Sequence, residues 1–354
     1  MSTIKASNIQ NGSSASTNIV LNTDGSATFA QMPVGPSYFA MRNKIINGDQ
    51  RINQRAATIT TNGYCTDRWN VSNQTTGAWT AAQSTNAPSG FINSLLVTKT
   101  TGGSASAGDF NYIAQYIEGT NITDLAWGTA QAKTVTLSFW VYAGATGTFS
   151  GSLRNGSGTL YSYPFTYTIS NANTWEFKTV TIAGPTTGTW LTDTGIGVSV
   201  FFDLGSGSSN RGAAGAWAVG NFTGATGATA YPTSTSGGIF AITGVQFEVG
   251  SVATPFERRQ YGQELLLCQR YYQVQPDILV SSYNGTSGTI YNDFMLPVTL
   301  RATPTAAITT PIYLNANSLA INSASVNRVR YSLVISSTGY GAAYGQTTTF
   351  SSEL

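Results

Sequence analysis

Between Arg42 and Arg259 the chain repeatedly alternates apolar and polar residues at a spacing of two. Val135, Leu137, Phe139 and Val141 alternate with Thr136, Ser138, Trp140 and Tyr142. Tyr161, Tyr163, Phe165, Tyr167 and Ile169 alternate with Leu160, Ser162, Pro164, Thr166 and Thr168. Ile196, Val198, Val200, Phe202 and Leu204 alternate with Gly197, Ser199, Phe201 and Asp203. In an extended strand successive side chains point to opposite faces, so each alternating run is a strand buried on one side. Gly, Ser, Thr and Asn separate the runs, and helical periodicity is nearly absent. This pattern specifies short antiparallel strands stacked as a β-sandwich over residues 42–259.

Composition narrows what such a sandwich can do. A 41% hydrophobic content fills a core, and with 12% aromatics it argues against a disordered chain. At 354 residues the chain has room for two to three domains. It has no histidine, which removes Ser-His-Asp and Cys-His nucleophile pairs and any His-containing zinc or iron site. A formal net charge of +2 gives no field for bulk nucleic-acid binding. Cys65 and Cys268 stand too far apart to suggest a metal-binding spacing, and both read as free thiols, a single bridge being the alternative. No signal-peptide core and no run of ~18 apolar residues is present, so the expectation is a soluble protein made in a cytosol, with no membrane insertion.

The remaining segments differ from the sandwich. Residues 1–41 offer few apolar side chains, notably Ile4, Ile9, Ile19, Leu21 and Phe29. Asn22-Thr23-Asp24-Gly25 predicts a turn between the strands 18–21 and 27–29. A segment this poor in apolar groups cannot bury a core alone. It is either a loose tail or an anchor that orders against another chain. Tyr261, Leu265, Cys268 and Tyr272 share one face of a short helix, giving a helical linker over 260–273. Residues 274–354 return to strands, as in Val329, Tyr331, Leu333 and Ile335, and form a small β module.

Two kinds of chemistry remain. Glycoside hydrolysis needs a pair of carboxylates, and Asp109, Glu118, Asp124, Glu176, Asp193 and Asp203 are candidates that form no local motif. Sugar binding needs aromatic rings and amide or hydroxyl groups in a formed cleft. Trp140 and Tyr142 lie opposite an aliphatic set, and Gln115 lies in the run Tyr112–Tyr116, read as a neighbouring strand. These three are the candidate glycan-binding residues, although a tryptophan in a sandwich strand can equally belong to the core. Arg258 and Arg259 are expected to pair with Glu257 or Glu264.

Several motifs carry a family likeness. Arg42-Asn43-Lys44-Ile45-Ile46-Asn47-Gly48-Asp49, Arg51-Ile52-Asn53-Gln54-Arg55 and Tyr64-Cys65-Thr66-Asp67-Arg68-Trp69 resemble the opening of a domain found in bacteriophage tail fibres. The fibres of phages of marine bacteria and cyanobacteria come nearest. Ile242–Gly250, Thr254–Arg259, Gly262–Leu265 and Cys268–Tyr272 continue the match, and Leu296–Pro304 resembles the start of such a fibre's C-terminal module. With Asn47-Gly48-Asp49, Leu137-Ser138-Phe139-Trp140 and Val245-Gln246-Phe247-Glu248-Val249-Gly250, the central domain is also similar to jelly-roll carbohydrate-binding modules. Some of those hold a structural calcium, and Asp49 and Glu248 are the ligands this would imply; no other cofactor is expected.

The resemblance implies an all-β chain: an extended virion anchor (1–41, through Ile4, Ile9, Ile19, Leu21 and Phe29), a jelly roll (42–259), a short helix, and a C-terminal β-sandwich module (274–354) that forms the receptor-binding tip. It further implies a homotrimer in the virion tail, assembled in the host cytoplasm. Residues 1–41 would bind a tail or adaptor protein, and the rest a host surface polysaccharide or lipopolysaccharide, without catalysis. The alternatives are a structural virion protein (head fibre, capsid decoration or adaptor spacer) and a polysaccharide depolymerase.

Overall fold

The computed structural model describes residues 41–55 and 58–354, together with the backbone of strands at 8–9, 19–21 and 27–29. Those three strands pair antiparallel, and the register Ile19↔Phe29 and Leu21↔Ala27 is the hairpin pairing that the turn signal predicts. The side chains of Ile9, Ile19, Leu21 and Phe29, and the whole of Ile4, lie outside the described residues.

The central domain is a jelly roll of ten main strands: β1 (Asn70–Asn73), β2 (Trp79–Ser84), β3 (Ser94–Lys99), β4 (Asn111–Glu118), β5 (Val135–Ala143), β6 (Gly147–Asn155), β7 (Tyr161–Ile169), β8 (Glu176–Ile182), β9 (Ile196–Asp203) and β10 (Gly238–Val249). One sheet runs β7-β6-β9-β4-β1, extended to seven strands by the short pairs at 218–219 and 63–64. The other has five strands in the order β8-β5-β10-β3-β2. Among the ten main strands only β2–β3 and β6–β7 are hairpins, and every other connection between them crosses from one sheet to the other, as a jelly roll requires.

Alternation sets the core. Val135, Leu137, Phe139 and Val141 of β5 face Val198, Val200 and Phe202 of β9, all fully buried. The Phe139 ring meets Phe202 edge-on at 4.9 Å and Tyr167 at 5.0 Å. Tyr161 and Tyr163, on the same alternating set, instead pack around Trp217 at the sheet edge. Residues 43–48 run beside β10, tied by Lys44 N to Phe247 O (2.8 Å) and by the Asn43 side chain.

The helix α1 (Tyr261–Gln269) follows the sandwich, and its buried side matches the spacing in part, since Cys268 and Leu265 join one apolar cluster. Glu264 and Cys268 are buried, whereas Tyr261 is exposed. The reason is polar: Glu264 accepts a hydrogen bond from Asn47 N (2.5 Å) and pairs with Arg259 (3.3 Å), turning that side of the helix inward. Arg259 also pairs with Glu257 (3.3 Å), but Arg258 pairs with neither acid. Cys65 and Cys268 are buried free thiols; burial pushes Cys65 up to about 12, leaving it unreactive at neutral pH.

Nine strands form the C-terminal module: β11 (Tyr272–Pro276), β12 (Val280–Asn284), β13 (Gly288–Met295), β14 (Thr305–Ile308), β15 (Ile312–Leu314), β16 (Ala316–Ala324), β17 (Arg328–Ile335), β18 (Gly339–Tyr344) and β19 (Thr347–Ser351). They make three three-stranded sheets, β11-β19-β14, β12-β18-β15 and β13-β17-β16, around one small core. The last residues return to the sandwich. Glu353 pairs with Arg55 (2.8 Å) and with the fully buried Arg68, whose guanidinium lies 3.5 Å from the centre of the Tyr271 ring. Arg301 donates to the carbonyls of Ser352 (2.8 Å) and Glu353 (2.9 Å). Among the described residues no helix is long and apolar enough to cross a membrane.

Candidate functional site

Trp140 and Tyr142 lie on the outer face of the five-stranded sheet, opposite the core side of β5. Trp140 packs beside Phe177 with ring centres 5.5 Å apart, and Tyr142 beside Trp175 at 5.6 Å. Gln115 does not join them. It lies on β4, in the other sheet, and is buried. Its amide donates to Ile46 O and accepts from Ile46 N, both at 2.8 Å, so it fastens the leading segment and has no free group for a ligand. The error is topological: in a jelly roll β4 crosses to β5 rather than pairing with it.

Asp49 and Glu248 do not fit a shared calcium site. Asp49 faces Arg51 (2.5 Å), whereas Glu248 is filled by Thr254 N (2.9 Å), Thr254 Oγ1 (2.6 Å) and Gln246 Nε2 (2.8 Å), with Arg42 at 3.6 Å. Calcium needs oxygen ligands free to converge on it, and these carboxylates already answer cations and N–H or O–H donors. Among the described residues no group of three or more acidic or thiol side chains is placed to hold a metal. The acids considered for hydrolysis are also dispersed. Glu118 binds Arg270 and Tyr271, Asp124 binds Lys44, Glu176 binds Lys178, and Asp203 binds Arg211. Asp109 and Asp193 accept backbone N–H groups of their own loops.

The outer face of the seven-stranded sheet holds a constellation that the sequence reading missed. Strand register aligns Tyr116 of β4 with Ser199 of β9, and Ser199 with Arg154 of β6. Their neighbours Ile117, Val198 and Leu153 are in the core, so all three side chains point outward. The Arg154 guanidinium lies 4.7 Å from the centre of the Phe201 ring, and Nη1 donates to Asn221 Oδ1. Tyr112 meets Phe201 edge-on at 5.0 Å, and the hydroxyls of Tyr112 and Tyr116 are 3.1 Å apart.

This row is under-satisfied. Ser199 is fully buried, yet its hydroxyl has no partner, and neither has Arg154 Nε. Arg42, Arg51, Arg68, Arg211 and Arg259 also have Nε atoms without a hydrogen bond, but each pairs with a carboxylate. Arg154 pairs with none among the described residues. Burial lowers its pKa, opposed by Tyr116 and Tyr112, and burial raises the pKa of Tyr116. Buried polar groups without partners are uncommon, and each left unmade costs about 1–3 kcal/mol. The signal was present in the sequence: Phe149 and Leu153 alternate with Ser150, Ser152 and Arg154. A lone arginine in a polar strand face nevertheless reads as ordinary solvent exposure.

No protein-family model matches the chain, and no curated protein matches it. Solved structures similar to it include the enzymatically active domain of tailspike protein 4 of bacteriophage CBA120, at 17% identity and a TM-score of 0.30, covering 59% of this chain and 22% of that one. A CBM4 structure aligns at 14% identity and a TM-score of 0.32, over 58% of this chain and 98% of its own. The C-terminal family 22 carbohydrate-binding module of Clostridium thermocellum Xyn10B aligns at 15% identity and a TM-score of 0.33, over 61% of this chain and 99% of its own. The chain thus spans about a fifth of the tailspike domain and nearly all of the two modules. The all-β jelly roll stands on the strand order and register of the chain itself.

Proposed function

We propose that the protein is a non-catalytic attachment subunit of a phage particle, binding a host surface glycan on the outer face of its seven-stranded sheet. The observation that carries this reading is the row Tyr116–Ser199–Arg154, in which the Ser199 hydroxyl and Arg154 Nε lack partners beside the half-buried rings of Tyr112 and Tyr116. Tyrosine faces stack on the C–H faces of a pyranose, and hydroxyl and guanidinium groups bond its rim. Binding, rather than cleavage, agrees with the engaged state of the acids considered for hydrolysis.

The phage setting rests on the tail-fibre motifs of residues 42–69 and 242–304. It makes residues 1–41 the link to a tail or adaptor protein and the chain a homotrimer. Among the described residues, nine of the sixteen exposed large hydrophobic residues fall in the C-terminal module, a distribution suited to contact with other copies. Three copies of one weak sugar site bind with an avidity well above that of each. That same distribution also favours a second reading, a structural spacer whose surfaces serve packing alone.

The test is binding of the fluorescently labelled protein to host cells, intact or stripped of surface polysaccharide. Saturable binding that is lost on stripping, and lost again with Tyr116→Ala or Arg154→Gln, is the expected result. A folded protein that binds no host cell favours the spacer.

A further inference from the structure

We infer that the opposite face of the sandwich carries a second, independent site, and that it takes a saccharide bearing a carboxylate. The outer surface of the five-stranded sheet holds a cleft of about 380 Å³ lined by Phe91, Ser138, Trp140, Phe177, Phe256 and Arg258, among others. That volume lies within the range typical of small-molecule sites. Its walls are aromatic. Phe91 and Phe256 meet edge-on at 5.3 Å, and Trp140 and Phe177 lie 5.5 Å apart. Phe177 is nearly half exposed, so its ring is open to a ligand.

The floor is Gly244, at an irregularity between Thr243 and Gln246 where β10 slips against β5. Its φ is +59°, and a Cβ there would lie 2.7 Å from Phe91 Cζ and 3.0 Å from Trp140 Cδ1. A residue without a side chain is what keeps the gap between these two rings.

The charge comes from one residue. Arg258 is exposed, lies 4.6 Å from the centre of Phe91 and 5.6 Å from that of Phe256, and donates to Gly90 O. Among the described residues it has no carboxylate partner. Among the described cations the same holds for Lys99, Lys133, Arg154 and Arg301. Lys99 and Arg301 are satisfied by oxygens of their own chain. Lys133 is exposed just before β5. Arg154 and Arg258 remain, each held over an aromatic ring on opposite faces of the sandwich.

Nearby acids do not oppose an anion in the cleft. Glu248 is occupied by Thr254, Gln246 and Arg42, and Glu257 by Arg259 and the backbone N–H of Asn43. A guanidinium with free N–H groups beside stacking rings is complementary to a sugar ring with a carboxylate on its edge.

The probe is a galacturonic acid oligosaccharide, with its methyl ester as the neutral counterpart, titrated calorimetrically into the full-length protein. The acid is expected to bind and the ester to bind at least about tenfold more weakly, the equivalent of one charge-assisted contact. Arg258→Gln should abolish the preference for the acid, and Trp140→Ala should weaken both ligands, each with an unchanged melting temperature. Arg154→Gln, on the other face, should leave this binding intact, which separates this site from the attachment site proposed above. Equal affinity for acid and ester, loss of binding with Arg154→Gln but not Arg258→Gln, or no binding of either ligand at millimolar concentration would each overturn the inference.

Discussion

Thirty-four buried apolar residues form one cluster between the sheets of the sandwich, whereas the three small sheets of the C-terminal module share ten. The surfaces differ in the opposite sense. Among the described residues the module exposes Leu279, Tyr283, Tyr291, Met295, Ile312, Tyr313, Leu314, Tyr340 and Tyr344, while the longer sandwich exposes only Ile92, Phe177, Val219 and Val252 beside Met41. The difference follows from surface-to-volume scaling: three short sheets have too little interior to hide both faces of their strands. On β12 and β18, Tyr283 opposes Tyr340, and on β15 and β18 Ile312 opposes Tyr344, so the outward face of that sheet is aromatic and aliphatic. The sandwich stands on its own core. The module depends on what holds it, and Glu353, Arg301 and Arg270 hold it to the sandwich.

Four changes break or sharpen this contrast. The largest effect is expected from Phe202→Ala, which empties the contact with Phe139 and Trp69 and costs about 3–5 kcal/mol by urea titration. Next comes Glu353→Ala, which strands the fully buried Arg68 and costs about 3 kcal/mol. Its signature is regional: proteolysis should release the module while the sandwich stays intact. Loss of both together would show that the two regions are one cooperative unit.

A smaller effect concerns pH. Burial raises the pKa of Glu118, but hydrogen bonds from Arg270 and Tyr271 outweigh it and hold the carboxyl below the ordinary range. A depressed carboxylate contributes its full stabilisation above its unfolded pKa and loses it as pH falls through the folded value. Melting temperature should therefore drop on acidification from about pH 6 to about pH 3, more steeply than in Glu118→Gln. A slope unchanged by that substitution would remove Glu118 from the junction's energetics. The smallest effect on stability, within about 0.5 kcal/mol, is expected for the paired change Tyr283→Ser and Tyr340→Ser. The same change should lower the oligomeric state in sedimentation; an unchanged state would assign that face another role.

Much of the sandwich was legible because alternation is a strictly local signal. Val135 to Val141 and Val198 to Phe202 are buried as their spacing requires, and the hairpin of 19–21 with 27–29 follows its turn residues. What local pattern could not supply was which strands are neighbours. Gln115 was placed beside Trp140 because β4 precedes β5, yet the chain crosses sheets between them. The helix face was legible at Cys268 and Leu265, which join an apolar cluster, but not at Glu264, which its polar partners draw inward while Tyr261 stays exposed. The row Tyr116–Ser199–Arg154 joins three separated strands, and the Arg68–Glu353 pair spans 285 residues. Trp140 and Tyr142 occupy the outer face of β5, opposite its aliphatic set.

Hydrogen–deuterium exchange of the full-length protein, with and without surface polysaccharide from a host strain, tests the central claim most directly. The division of roles predicts added protection on β4, β6 and β9 around Tyr116, Arg154 and Ser199, with the module's strands unchanged. Protection confined to β11–β19, or none at a saturating concentration, would contradict it.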